Sequence, residues 1–205
     1  MEMKKMEMIR NQKGFTLVEL AIVLVIIGLI LGAVLKGQEL IHSARMKRLY
    51  NMKQEVNAAL NTYLDKYGKF PGDDNNANAR WGITDGNNNG QITGFTTNCA
   101  AAATTETCIA WRGLRLSNLL SGDATSAINP NNPYSGIAAI GYATIQGLAN
   151  NWIGFTNVPY DICELLDQQY DDGSPAAGYN SGDVRGSGDY NTATSGTYTI
   201  YFSFK

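Results

Sequence analysis

Lys13-Gly14-Phe15-Thr16-Leu17-Val18-Glu19-Leu20 runs directly into Ala21-Ile22-Val23-Leu24-Val25-Ile26-Ile27-Gly28-Leu29-Ile30-Leu31-Gly32-Ala33-Val34-Leu35. From Phe15 to Leu35 the segment is apolar on every side of a helix, and Glu19 is its only charge. About 20 such residues, rising 1.5 Å each, cross a hydrocarbon core roughly 30 Å thick. A carboxylate in that run costs about 2.5–3.5 kcal/mol on insertion scales, so it needs a partner. No Lys, Arg or His lies within one helical turn of Glu19 on its C-terminal side, and the partner is expected from elsewhere.

Downstream, the helix meets no proline before Pro71. Its apolar residues narrow to a stripe of Leu49, Met52, Val56, Ala59, Leu60, Tyr63 and Tyr67, spaced by threes and fours, which marks one face for packing. Lys47, Asn51, Glu55 and Asp65 fall off that stripe and are expected in solvent. Gly68 ends the helix, and Phe70-Pro71-Gly72 prevents its continuation. The span from residue 15 to 67 gives a rod of roughly 80 Å at 1.5 Å per residue, half in lipid and half packed. Gly28, Gly32 and Gly37 are its expected soft points, since glycine in a helix interior costs about 1 kcal/mol relative to alanine.

A basic leader ending in Gly14, then Phe15-Thr16-Leu17-Val18-Glu19 and an apolar helix, resembles the prepilin signature of type IV pilins and type II secretion pseudopilins. The resemblance rests on about a tenth of the chain. It implies that prepilin peptidase cuts between Gly14 and Phe15, and that the new Phe15 amine is N-methylated. It further implies that Glu19, fifth after the cut, pairs with the Phe15 ammonium of a neighbouring subunit. Two charges that are each costly in lipid become tolerable together, so such a pair favours assembly. Lys4, Lys5, Arg10 and Lys13 precede the span, while Lys36, Arg45, Lys47, Arg48 and Lys53 follow it. Charge counting therefore leaves the orientation open; the prepilin-like leader places it in the cytoplasm. Many pilins carry a helix-bending proline near Lys36, and this chain has none there.

The expected fold is α+β and pilin-like. Residues 1–14 form a leader that is removed, 15–67 a long N-terminal helix, with 15–35 as its transmembrane and filament-core part. Residues 68–205 form a globular head with a small antiparallel sheet, and 72–110 its variable loop. That loop holds Asp73-Asp74-Asn75-Asn76 and Asp85-Gly86-Asn87-Asn88-Asn89-Gly90, turn-formers throughout. Trp111–Leu120 is expected as a short helix, Gly136–Ile145 and Trp152–Phe155 as strands, and Pro159 as the start of a helix reaching Tyr170. A Gly/Ser/Asn-rich loop then leads to a closing strand over Tyr198–Phe204.

The 205-residue chain has a net charge of −2, so no basic field points to nucleic acid, which is not an expected partner. Its three cysteines all follow the apolar segment, where an oxidising compartment favours a disulfide. Three pairings are possible. Cys99 and Cys108 are close enough to close a small loop, worth about 2–3 kcal/mol in the chain-entropy treatment. Cys163, beside Leu166 on the apolar face of its predicted helix, reads as a buried thiol. Type IV pilins commonly have a cysteine pair bracketing a C-terminal receptor-contacting loop, and this chain has no such bracket.

Asp85, Asn87 and Asn89, with Gly90 and the backbone of Gln91, fit the opening positions of a calcium loop. Thr96 stands at the twelfth position in place of a bidentate Glu, so a site there would be in the weak, millimolar class; the alternative is an Asn/Gly-rich turn without an ion. Calcium binding in a C-terminal loop of major pseudopilins suggests Asp171 and Asp172 as a weaker second set. Asp167 and Asp171, one turn apart, have the residue types of a glycosidase pair but no accompanying cleft signature. His42, the only histidine, has no ligand set around it in sequence. No phosphate loop, nucleophile elbow or metalloprotease pair appears, and an enzyme is not expected.

The expected function is that of a structural subunit of a type IV pilus or type II secretion-like pseudopilus. Its partners are other pilin-like subunits, prepilin peptidase and an inner-membrane assembly platform. It is expected first in the bacterial inner membrane as a single pass, then in an extracellular or periplasmic filament. The alternative is a minor tip pilin that binds a surface, DNA or a secreted protein. High copy number favours the first, tip localisation the second.

Overall fold

The structure, a computed structural model, describes residues 14–171 and 178–204. Most of the leader and Asp172 lie outside the described residues. The chain divides into two compact units, Met1–Ser43 and Ala44–Lys205, each holding part of the first helix, α1 (Leu17–Tyr67).

In the first unit α1 is helical through Gly28, Gly32 and Gly37, the expected soft points. A Cβ at any of these glycines would meet nothing within 4 Å. Uninterrupted backbone bonding carries the helix across them, so glycine weakens this segment without breaking it.

In the second unit α1 presents the predicted stripe. Leu49, Val56, Ala59, Leu60 and Tyr63 are buried, Met52 and Tyr67 half-buried, and Lys47, Asn51, Glu55 and Asp65 exposed. Each fully buried large apolar side chain contributes about 1.5–3 kcal/mol, so this stripe anchors the helix to the head. The helix stops where Gly68 adopts φ +72°, a left-handed turn that glycine holds without strain, and the Gly68 amide donates to Leu64 O at 2.7 Å.

The remaining elements are α2 (Ala77–Trp81), α3 (Glu106–Leu116), β1 (Ala138–Ile145), β2 (Leu148–Pro159), α4 (Tyr160–Tyr170), a 3-10 turn at Gly178–Asn180, β3 (Val184–Gly186) and β4 (Thr197–Phe204). The four strands form one antiparallel sheet in the order β1-β2-β4-β3. Gln146 and Gly147, both at positive φ, join β1 to β2 as a two-residue hairpin. One sheet face contributes Ile140, Ile153, Phe155, Ile200, Phe202 and Phe204 to the same core as the α1 stripe. The Tyr170 ring at the end of α4 stacks on Tyr50 of α1, centroids 3.5 Å apart.

Several boundaries differ from the sequence reading. The helix expected over Trp111–Leu120 instead begins at Glu106 and ends at Leu116. Asn118, at φ +58°, turns the chain, with Asn118 N–H donating to Arg115 O and Leu119 N–H to Leu114 O. That is a Schellman stop with Asn in the left-handed position. β2 is twelve residues long, where only Trp152–Phe155 was expected. The 72–110 region is not all loop, since it contains α2 and the start of α3.

The segment around Gly94 crosses the second face of the sheet at very short range. A Cβ on Gly141 would lie 1.8 Å from Gly94 O, and one on Gly154 would lie 2.5 Å from the Phe95 ring. Phe95 in turn packs on Tyr201, centroids 5.4 Å apart. Gly141→Ala must push this backbone crossing off the sheet. It is expected to lower stability by about 2–3 kcal/mol, read as an earlier melting transition, because backbone cannot yield as a flexible side chain does.

Candidate assembly site at the helix start

Thr16 precedes the first turn of α1, and Glu19 lies inside that turn. The Glu19 carboxylate accepts from Thr16 N–H at 2.8 Å and from Thr16 Oγ1 at 2.9 Å, both on Oε2. Reciprocally, Glu19 N–H donates to Thr16 Oγ1 at 3.2 Å. This is a capping box: a Thr and a Glu three residues on satisfy each other's orphan amides at a helix start. The helix N-terminus carries partial positive charge, which favours a carboxylate there.

Where the sequence implies a cationic partner for Glu19 from elsewhere, the structure supplies hydrogen-bond donors from Thr16 of the same chain. The Thr-x-x-Glu spacing ahead of an apolar run is the signal that reveals Thr16. Thr16 supplies no charge, so the ion-pairing capacity of Glu19 is untouched.

Past this cap, the large side chains of the first unit find no protein cover. Leu17 is 87% exposed, and Leu24 and Leu29 are each 70% exposed. An 18-residue window of this helix has mean hydropathy 3.0, long and apolar enough to cross a membrane. Such a surface demands lipid or other helices around it.

Cys99 and Cys108 form a disulfide that ties the preceding loop to the first turns of α3. Asn129 holds the same loop: its side-chain oxygen accepts from Cys99 N–H, and its amide group donates to Thr96 O and Ala138 O. Cys163 is fully buried, and desolvation together with Asp161 and Asp167 pushes its thiol upward, which keeps it protonated and inert.

Asp85 Oδ1 accepts from Asn78 N–H at 2.7 Å. Asn87 Oδ1 and Asn89 Oδ1 each accept a backbone amide two residues on, those of Asn89 and Gln91. These oxygens are thus engaged by amides of their own neighbourhood. Among the described residues, no three His, Cys, Asp or Glu side chains come together as a group that could hold a metal. Asp171 Oδ1 accepts from Asp183 N–H at 2.7 Å, and Asp171 N–H caps α4 on Asp167 O. Asp167 is buried and accepts from Tyr190 Oη at 2.9 Å; desolvation first, and then this carboxylate, push the Tyr190 phenol upward. Asp171 and Asp167 thus tie α4 to Asp183 and Tyr190, which lie on either side of β3.

Residues 9–35 match the prokaryotic N-terminal methylation motif, the signal motif of type IV pilins and pseudopilins. The motif covers the Gly14–Phe15 junction, the capping box and the exposed apolar run. No curated protein and no solved structure shows a significant match to the chain. The motif class is structural and goes with processing by prepilin peptidase and with polymerisation in general.

Proposed function

We propose that this chain is a structural subunit of a pilus or pseudopilus filament, assembled from the bacterial inner membrane. Cleavage falls between Gly14 and Phe15, and Phe15 is the methylated N-terminus. The observation that carries this reading is the apolar face of α1, exposed all round over residues 17–35, behind a start that holds one carboxylate in place. Membrane lipid covers that surface before assembly, and the helices of other subunits cover it afterwards. The capping box involves only Thr16 and Glu19, so it survives removal of residues 1–14. Glu19 then lies four residues from a new ammonium at Phe15. In the filament core it pairs with the Phe15 ammonium of a neighbouring subunit, and each charge removes the other's desolvation cost.

Mass spectrometry of protein sheared from the cell surface or periplasm tests this reading. The expected mass begins at Phe15 and carries one extra methyl group. Filaments containing residues 1–14, or absence of the protein from every sheared filament, would overturn it.

A further inference from the structure

The segment from Asp85 to Thr93 reads in sequence as a place for a cation, yet the structure gives it the opposite polarity. Every amide from Gly86 to Thr93 has an acceptor. Gly86 N–H donates to Asp74 O, and Asn88 N–H to Asp73 O. Asn89 N–H donates to Asp73 Oδ1 at 2.9 Å and Gly90 N–H to Asp73 Oδ2 at 2.8 Å. Asn87 N–H donates to Glu106 Oε1 at 3.0 Å and Thr93 N–H to Glu106 Oε2 at 2.7 Å. Gln91 N–H and Ile92 N–H go to the side-chain oxygens of Asn89 and Asn151.

Two carboxylates from outside the loop therefore each span a pair of loop amides, one oxygen to each. Asp73 is 1% exposed, so its bonds compete little with water. Glu106 opens α3 and reaches back across the loop. A cation-binding loop turns its oxygens inward around a positive centre; this loop turns its N–H groups inward around negative ones. A calcium ion would have to compete with backbone amides for Asn87 and Asn89, and with Asn78 N–H for Asp85.

We infer that the 85–93 loop takes its conformation from the Asp73 and Glu106 carboxylates and holds it without calcium. Asp73 and Glu106 are positioning residues for this surface, which carries exposed Asn87, Asn88 and Asn89 on fixed backbone. The inference does not rest on the filament reading, since all the residues involved lie in the head.

Residue-resolved amide hydrogen exchange on the full chain in detergent tests it. A carboxamide keeps one acceptor oxygen and turns a donor toward the second amide, so one bond of each pair must fail. Glu106→Gln is expected to speed exchange at Asn87, Thr93 or both by roughly tenfold or more, a typical loss for a charge-assisted bond. Asp73→Asn should do the same at Gly90, or at both Gly90 and Asn89, whose N–H also reaches Asn87 Oδ1, leaving the other pair protected. If Asp73→Asn fails to fold, the partly exposed Glu106 still gives the reading. Millimolar calcium or a chelator should leave exchange from 86 to 93 unchanged in the unaltered chain. Slower exchange there with calcium, lost again in Asp85→Ala, would overturn the inference. So would exchange that Glu106→Gln leaves unchanged.

Discussion

Glu19→Gln is expected to insert into the membrane, lose residues 1–14 normally, and fail to enter filaments when it is the only copy of the subunit. The capping box makes this substitution more informative than alanine. Glutamine at this position can still accept from Thr16 N–H, so the helix start is preserved. What disappears is the charge. In lipid that change is favourable, because an ionised carboxylate costs about 2.5–3.5 kcal/mol. In a filament it leaves the neighbour's Phe15 ammonium unpaired in an apolar core, at a cost of similar size. That corresponds to roughly 100-fold per subunit contact, compounded at each addition. The two effects have opposite signs, so the variant should accumulate in the membrane fraction while sheared filaments disappear.

Two further variants separate the cap from the pair. Thr16→Ala removes the hydroxyl that both donates to Glu19 Oε2 and accepts from Glu19 N–H. Loss of a cap costs about 1 kcal/mol at the helix end, so assembly should weaken rather than vanish. Glu19→Ala removes cap and charge together and should match Glu19→Gln in assembly. Normal filaments from both Glu19 variants would mean that helix packing through Leu17, Ile22, Val25 and Ile26 suffices. The ion pair would then have to be given up.

The long helix and its limits were legible because their causes are local. An unbroken apolar run, a stripe at spacings of three and four, and a glycine that adopts φ +72° all lie within a few residues of the effect. The capping box is equally local, but it consists of hydrogen-bond donors and acceptors, which a count of charges around Glu19 does not register. β3 was not legible. Val184–Gly186 has no pattern of its own and becomes a strand by pairing Val184 with Phe202 and Gly186 with Ile200. Before Trp152–Phe155, β2 carries Asn150 and Asn151, poor strand formers that pairing with β1 overrides; after it, Asn157 at φ +60° sits at an irregularity in the pairing with β4, which hides the strand's continuation to Pro159. The start of α3 was hidden by Thr107 and Cys108, which have weak helix propensity but are buried in the folded head.

The Asp85 loop is a different case. Its side chains match a cation motif, but its conformation follows from Asp73, at least twelve residues upstream, and Glu106, at least thirteen downstream. A motif lists the side chains that point inward around an ion. It carries no information about which carboxylates the backbone amides will find, and here those bonds hold the segment.

Gly14 gives the second large effect. Gly14→Phe is expected to leave residues 1–14 attached, so that the membrane-held protein keeps its full mass and no filament forms. Gly14 is exposed ahead of α1, and a Cβ built on it would meet nothing within 4 Å. The fold of the chain therefore has no need of glycine at this position. On the proposed processing, a bulky side chain here acts in the pocket of the peptidase that would cut the bond after it. An uncut chain has an amide instead of an ammonium at Phe15, so the Glu19 carboxylate of a neighbour would have no cation to meet. Both consequences should appear together: retained mass in the membrane fraction, and loss of filaments at least as complete as in Glu19→Gln. Gly14→Ala, the smallest change, should slow the cut rather than abolish it. Normal cleavage of Gly14→Phe would place the processed bond elsewhere. Uncut protein that still polymerised would show that the Phe15 ammonium is not the partner of Glu19.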